Sequence, residues 1–244
     1  MVRDFTPLAH ILGQALGREI KVETDKDFDS FMLRVYNGEF DIVYLNHLQY
    51  VQAHQTVGYY AIAKLCESTT CTIAAEIVVR RDGGLTKMGD LRGKTIAFGD
   101  RNAMVSHILA RYTLQAAGLE ANQYHSIFTK NPPNALLAVY NGTAQAAGVG
   151  SEVFSRPQIA LRVDKKQFRV LARSMPIPQL PLAVRGDLDP QLVKRIRSVL
   201  LALPRQAQGK AWLRQINAER FESADDTEYG VVTRLAEEAM NVGH

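Results

Sequence analysis

Tyr44, Asn46, His47 and Tyr50 place a phenol, an amide, an imidazole and a second phenol directly after the apolar run Phe40-Asp41-Ile42-Val43-Tyr44. That run reads as a short buried strand, and open α/β sheets bind ligands beyond the carboxyl ends of their strands. Tyr44 suits an aromatic wall and His47 a hydrogen-bond donor. His47 equally suits a plain surface position, and Tyr50 suits core packing. Cys66 and Cys71 are the remaining residues with distinctive chemistry. No further ligands stand near enough in sequence for zinc and no base presents itself for a catalytic thiol, which leaves a local disulfide or two unpaired thiols.

Enzymatic chemistry has little support. The chain contains no G-x-S-x-G elbow, phosphate-binding P-loop, H-E-x-x-H pair or Cys–His pairing. Asp41 sits within an apolar strand and Asp100 begins a turn, so both read as structural rather than as a carboxylate pair. No catalytic residue, metal or cofactor is expected.

The elements that must position these residues alternate. Apolar residues at Phe5, Leu8, Ile11, Leu12, Ala15 and Leu16 predict a helix, Glu19–Glu23 alternates as a strand, and 28–35 is a second helix. After the strand at 40–44, a third helix begins near Asn46 or His47. The α-β-α-β-α order argues for an α/β fold with a largely parallel sheet. Such a sheet normally starts with a strand, so one is expected ahead of the first helix. Further strands are predicted at 74–80, 95–98, 126–128, 144–149, 168–172 and 182–185. Helices are predicted at 106–117, 134–140, 189–203, 209–215 and 229–240, the region after 189 being all helix.

The 244 residues include 46% hydrophobic and 22% charged residues, the composition of a globular protein with no repeat or low-complexity tract. The net charge of +4 is scattered, without the dense basic run or helix-turn-helix that would suggest nucleic acid. No apolar run approaches the roughly 20 residues of a membrane helix. The first residues lack a signal peptide, so export would require a leader ahead of Met1.

Several segments then match a family. Phe40–Leu45 with His47–Val51 resembles a "G-x-x-D-I-A-x-x-G-P-x-x-Y" stretch. Met88–Asp100 is similar to "s-l-x-D-L-x-G-K-x-v-a-F-G-D", Ala135–Gly142 to "a-l-x-A-V-x-N-G", and Asp187-Leu188-Asp189-Pro190 to the family's return to its first lobe. Their collinear order resembles the phosphate/phosphite/phosphonate substrate-binding proteins of ABC importers, of the type II periplasmic-binding-protein fold. The resemblance implies two α/β lobes, each a mostly parallel sheet flanked by helices, joined by a two-strand hinge. Lobe 1 would be 1–98 plus 183–244 and lobe 2 would be 99–182, with crossovers near Phe98-Gly99 and Leu182-Ala183. It implies a non-enzymatic, extracytoplasmic receptor that captures a small anionic ligand in an inter-lobe cleft and delivers it to an ABC permease. The same fold also serves as the input domain of signalling receptors, which implies a signalling partner instead.

An oxyanion is best held by backbone N–H groups at a helix N-terminus. The family's hydroxyl-rich turn corresponds here to Arg101-Asn102-Ala103-Met104-Val105-Ser106, with Ala103, Met104 and Val105 in place of the hydroxyls. The amides of 103–106 remain candidates, with Asn102 beside them and Ser106 and His107 as side-chain donors. The family's "G-S-H-D" turn is Lys130-Asn131-Pro132-Pro133-Asn134, where Lys130 and Asn131 are the available donors. Its acidic position in "N-G-x-v-D-A" is Gln145. Thr72, with Thr70 and Glu76, falls where relatives carry Tyr and Ser contacts. The framework is thus kept while contact positions differ, which points to an altered ligand site.

Overall fold

The first fifteen helical residues show how the chain commits its apolar surface. In α1 (Val2–Leu16), Leu8, Ile11, Leu12 and Leu16 recur on one stripe and are buried, while Trp212 donates its indole N–H to the Asp4 carbonyl at 2.6 Å. α2 (Phe28–Tyr36) begins where the Asp27 carboxylate accepts from Ser30 N at 2.8 Å. β1 (Ile42–Tyr44), α3 (His47–Val57) and β2 (Tyr60–Cys66) follow. The chain continues through β3 (Thr72–Ile73), β4 (Ala75–Arg80), β5 (Thr95–Phe98), α4 (Ala110–Ala116), β6 (His125–Phe128), α5 (Pro132–Tyr140), β7 (Ala146–Gly150), α6 (Pro157–Ala160), β8 (Phe168–Arg173) and β9 (Ile177–Pro178). It ends with β10 (Pro181–Val184), α7 (Pro190–Ala202), α8 (Ala207–Gln215), β11 (Arg220–Ser223) and α9 (Gly230–Asn241).

This computed structural model describes residues 2–67 and 69–241, in two units. Unit 1 comprises Met1–Thr72 and Pro178–Val231; unit 2 comprises Ile73–Ile177 and Val232–His244. The boundaries differ from the expected ones at 98–99 and 182–183. β4 and β5 lie in the sheet of unit 2 rather than with lobe 1, and most of α9 also belongs there. The physical reason is pairing: β4 is sandwiched between β7 and β8, so it cannot leave their sheet.

Both units are α/β, but neither sheet is mostly parallel. Unit 1 has the order β1-β10-β2-β11, with every neighbouring pair antiparallel. β1 and β2 point the same way, and the returning strand β10 is wedged between them. Unit 2 has the order β6-β5-β7-β4-β8, parallel at β6-β5-β7 and antiparallel at β7-β4-β8. The crossing segments β3 and β9 form a two-stranded sheet, in keeping with the expected two-strand hinge, and α9 supplies a third crossing at 231–232.

Unit 1 packs Leu8, Leu12, Ile62, Val184, Ile196, Leu200 and Trp212 into one core. Unit 2 packs Val78, Ala97, Leu136, Val139, Ala147 and Phe168 into another. Glu19–Glu23 forms no strand, because its backbone has no strand beside it among the described residues. β2 and β11 were not foreseen, so the region after 189 is not wholly helical.

Candidate functional site

In unit 1 the candidates do not converge. Tyr44 turns its ring onto Phe5, 5.2 Å between centroids. Asn46 caps α3: its side chain accepts from Gln49 N and Gln49 accepts from Asn46 N, both at 2.9 Å. His47 is 2% exposed and donates Nε2–H to the Pro178 carbonyl at 2.7 Å. Burial lowers its pKa to about 4, so it is neutral at ordinary pH. Thr72 donates to the Thr70 hydroxyl at 3.3 Å. The Asn46 side-chain oxygen and the His47 Nε2–H are therefore taken up within the fold. A position just past a strand in sequence does not specify where the side chain points.

What occupies this region instead is an anchor formed by Asp225–Tyr229. Tyr50 donates its hydroxyl to Asp226, which also accepts from Ala61 N at 3.0 Å. Lys64 pairs with Glu228, and Tyr229 donates to the Gln179 carbonyl at 2.8 Å. Burial raises the pKa of both tyrosines. Cys66 and Cys71 form a disulfide. Glu222 lies within 4.8 Å of both sulfurs, but sulfurs bonded to each other offer no thiolate to a metal.

Unit 2 brings the remaining candidates together. β5 and β7 run parallel and end at Phe98 and Gly150, beside a π-helical segment, Met104–Leu109, that leads into α4. Asp100 builds the turn before it, its carboxylate accepting from Asn102 N at 2.8 Å and its carbonyl from Ala103 N at 3.1 Å. The Ala103 carbonyl accepts from both His107 N and Ile108 N at 3.1 Å. The backbone N–H groups of Met104, Val105 and Ser106 have no hydrogen-bond partner among the described residues, as expected for the first turn of a helix. The side chains of Met104 and Ser106 are buried, and Val105 is half-buried.

Ser106 is 1% exposed, and its hydroxyl is buried without a partner. A Cβ added at Gly99 would stand 2.6 Å from that oxygen and 3.2 Å from Pro132 N, so glycine is what lets the hydroxyl sit beside the start of α5. Gly99 was visible in the sequence motif, but nothing there revealed this role. His107 donates Nδ1–H to the Arg101 carbonyl at 2.7 Å, and burial lowers its pKa. Arg101 lies over the Phe128 ring at 4.2 Å.

α5 offers little of its own. Pro132 and Pro133 carry no N–H, and Asn134 N is taken by the Asn131 side chain at 2.9 Å. Asn131 is thus a cap. Lys130 is exposed and held at φ 74°, a left-handed conformation a lysine adopts at some cost. Glu76 is buried and paired with Arg173, and Gln145 accepts from Thr95 N at 3.1 Å. Three consecutive amides and one hydroxyl, all on residues 104–106, are thus left without a protein partner among the described residues.

A model of the family described as "ABC transporter, phosphonate, periplasmic substrate-binding protein" matches residues 1–229. The chain belongs to this family. The family is one of extracytoplasmic solute-binding proteins that hand a small molecule to an ABC permease, and no described helix is long and apolar enough to cross a membrane. The fold agrees. PhnD1 from Prochlorococcus marinus, in complex with methylphosphonate, superposes with a TM-score of 0.81 at 19% identity, covering 98% of this chain and 92% of that one. A binding protein component of an ABC phosphonate transporter from Pseudomonas aeruginosa gives 0.77 at 16% identity, covering 99% and 83%. The tetrathionate sensor histidine kinase TtrS of Salmonella typhimurium is 30% identical over 182 residues, 71% of this chain. The chain spans 31% of that kinase's length.

Proposed function

We propose that this family member captures a small oxyanion, phosphorus- or sulfur-centred, on the amides of Met104, Val105 and Ser106 and the Ser106 hydroxyl, for delivery to an ABC permease. The observation that carries the reading is the Ser106 hydroxyl, buried without a partner at the start of a helix whose first three amides are also unpaired. Buried polar groups in native structures are almost always paired, and an anionic oxygen satisfies hydroxyl and amides together while meeting the positive end of the helix. Lys130 and Arg101 add positive charge nearby in sequence and in the fold of unit 2, which favours an anion further.

The donor set is smaller than a compact, multiply charged phosphonate would use. Ala103, Met104 and Val105 bring no hydroxyl, and the two prolines of α5 bring no amide. That favours a ligand offering one or two oxygens to the protein and carrying an apolar or extended remainder. The likeness to a tetrathionate sensor kinase is compatible with a sensing role on the same chemistry. Isothermal titration against phosphate, phosphite, methylphosphonate, sulfate and tetrathionate tests the reading. Binding of at least one of these that weakens in Ser106→Ala supports it. Binding of apolar or zwitterionic compounds alone, with every oxyanion silent, overturns it.

A further inference from the structure

Basic residues occur along the whole chain, but their excess over acids comes from one segment of unit 2. Residues 156–169 carry Arg156, Arg162, Lys165, Lys166 and Arg169 against one acid, Asp164, a net charge of +4. The whole chain also has a net charge of +4, so outside this segment acids and bases balance. The local structure explains why the charges face solvent. Ile159 of α6, Val163 and Phe168 are buried in the core of unit 2 and hold the segment down. Leu161 N donates to the Pro157 carbonyl at 3.4 Å and Arg162 N to the Ile159 carbonyl at 2.9 Å, closing a tight turn after α6. A single helical turn, Lys165–Gln167, follows, capped where the Asp164 carboxylate accepts from Lys166 N at 2.8 Å. Between the buried anchors, Leu161, Arg162, Lys165 and Lys166 are exposed. Lys165 is steadied by the Phe154 ring, its Nζ 5.5 Å from the centroid. Leu161 is 88% exposed, more than any other large apolar side chain described.

A lone exposed leucine is unremarkable by itself; its place at the tip of the segment that holds the chain's net charge is what distinguishes it. One apolar side chain among cations is too little for a stable protein interface, which buries roughly 800 Å² on each partner. It suits an anionic bilayer surface, where Lys and Arg meet lipid phosphates and a single apolar side chain enters the headgroup layer. A receptor that serves an ABC transporter works beside such a bilayer. We propose that residues 156–169 are a membrane-contact patch that seats unit 2 reversibly on anionic phospholipid. Leu161 enters the headgroup layer, and Arg162, Lys165 and Lys166 pair with the phosphates. The patch shares no residue with the anion site at 104–106, so it stands whether or not that site binds an oxyanion.

Co-sedimentation of the 244-residue chain with vesicles tests this, using equal parts phosphatidylglycerol and phosphatidylcholine against phosphatidylcholine alone. The expected result is roughly tenfold or greater partitioning onto the anionic vesicles at about 50 mM salt, falling away at about 500 mM. Arg162→Glu with Lys166→Glu should lower that partitioning roughly tenfold, and Leu161→Ser several-fold, with melting temperatures unchanged because all three side chains are exposed. Equal partitioning of the wild type onto both kinds of vesicle, or onto neither, overturns the proposal, and that comparison decides alone if a variant fails to fold. Partitioning that survives the charge reversal, or that is indifferent to Leu161→Ser, also overturns it. Retention on immobilised polyglutamate without any vesicle binding assigns the patch to an acidic protein and overturns the lipid reading.

Discussion

Ser106→Ala should make the free protein more stable and the receptor worse. In the ligand-free chain the hydroxyl is buried with no partner, and an unpaired buried polar group costs about 1–3 kcal/mol. Alanine removes that cost, keeps the Cβ that packs beside Gly99, and suits a helix. The expected gain is about 1 kcal/mol, or about 2–4 °C in the melting transition that reports on unit 2. With an oxyanion bound, the same hydroxyl donates to a charged oxygen, a bond worth about 1.5–3 kcal/mol. The variant should therefore bind roughly 10- to 150-fold more weakly. Differential scanning calorimetry without ligand, followed by titration with whichever oxyanion binds the wild type, measures both halves. A melting temperature lowered by the substitution would mean that the hydroxyl already has a partner in the free protein. An unchanged affinity would remove Ser106 from the site.

Other outcomes follow from the residues assigned to the fold. Reduction of Cys66–Cys71, or Cys66→Ser with Cys71→Ser, opens a loop with a sequence separation of 5. It should cost about 2 kcal/mol of unit 1 stability, read as a lower urea midpoint in reductant. His47, with a folded pKa of about 4 against an ordinary 6.5, binds its proton in the unfolded chain first. Stability is therefore lost as pH falls from about 6.5 toward 4, by about 3 kcal/mol at most, and flattens below that. His47→Gln keeps a donor for Pro178 and should flatten that slope in urea titrations between pH 7 and 4.5. Asn46→Ala removes the side-chain cap on Gln49 N but keeps the bond from the residue 46 N–H to the Gln49 side chain, and should cost about 1 kcal/mol, while leaving oxyanion affinity, measured by titration calorimetry, unchanged.

Much of the fold was legible because local signals agreed with it. Apolar stripes marked α1, α2 and α7, and the motif order from Asp41 through Gly142 to Pro190 carried the family. The signals failed where partners lie far away in sequence. β2 and β11 pair with each other across more than half the chain, and β10 enters between β1 and β2 from the far side of unit 2. Glu19–Glu23 has a strand's alternation but no strand beside it to pair with. At the site, the turn at 101–106 was legible as a helix start. The Ser106 hydroxyl was not, because its isolation depends on Gly99 and on the approach of Pro132. The partners of His47 and Asn46 were not legible, because residue type and proximity to a strand say nothing of the carbonyl or amide that meets the side chain.

The position of β10 fixes an order of events during synthesis. Unit 1 places β1 and β2 on either side of a strand that begins at Pro181, after the ribosome has made the whole five-stranded sheet of unit 2. Until then β2, buried along nearly its whole length in the finished protein, has no neighbour on the β10 side. β11 emerges later still. The inserted unit can thus collapse first while its host waits, with an apolar strand exposed on both edges. Yield in the cell should depend on how long that wait lasts, and a slow stretch of translation before residue 181 would favour aggregation over folding.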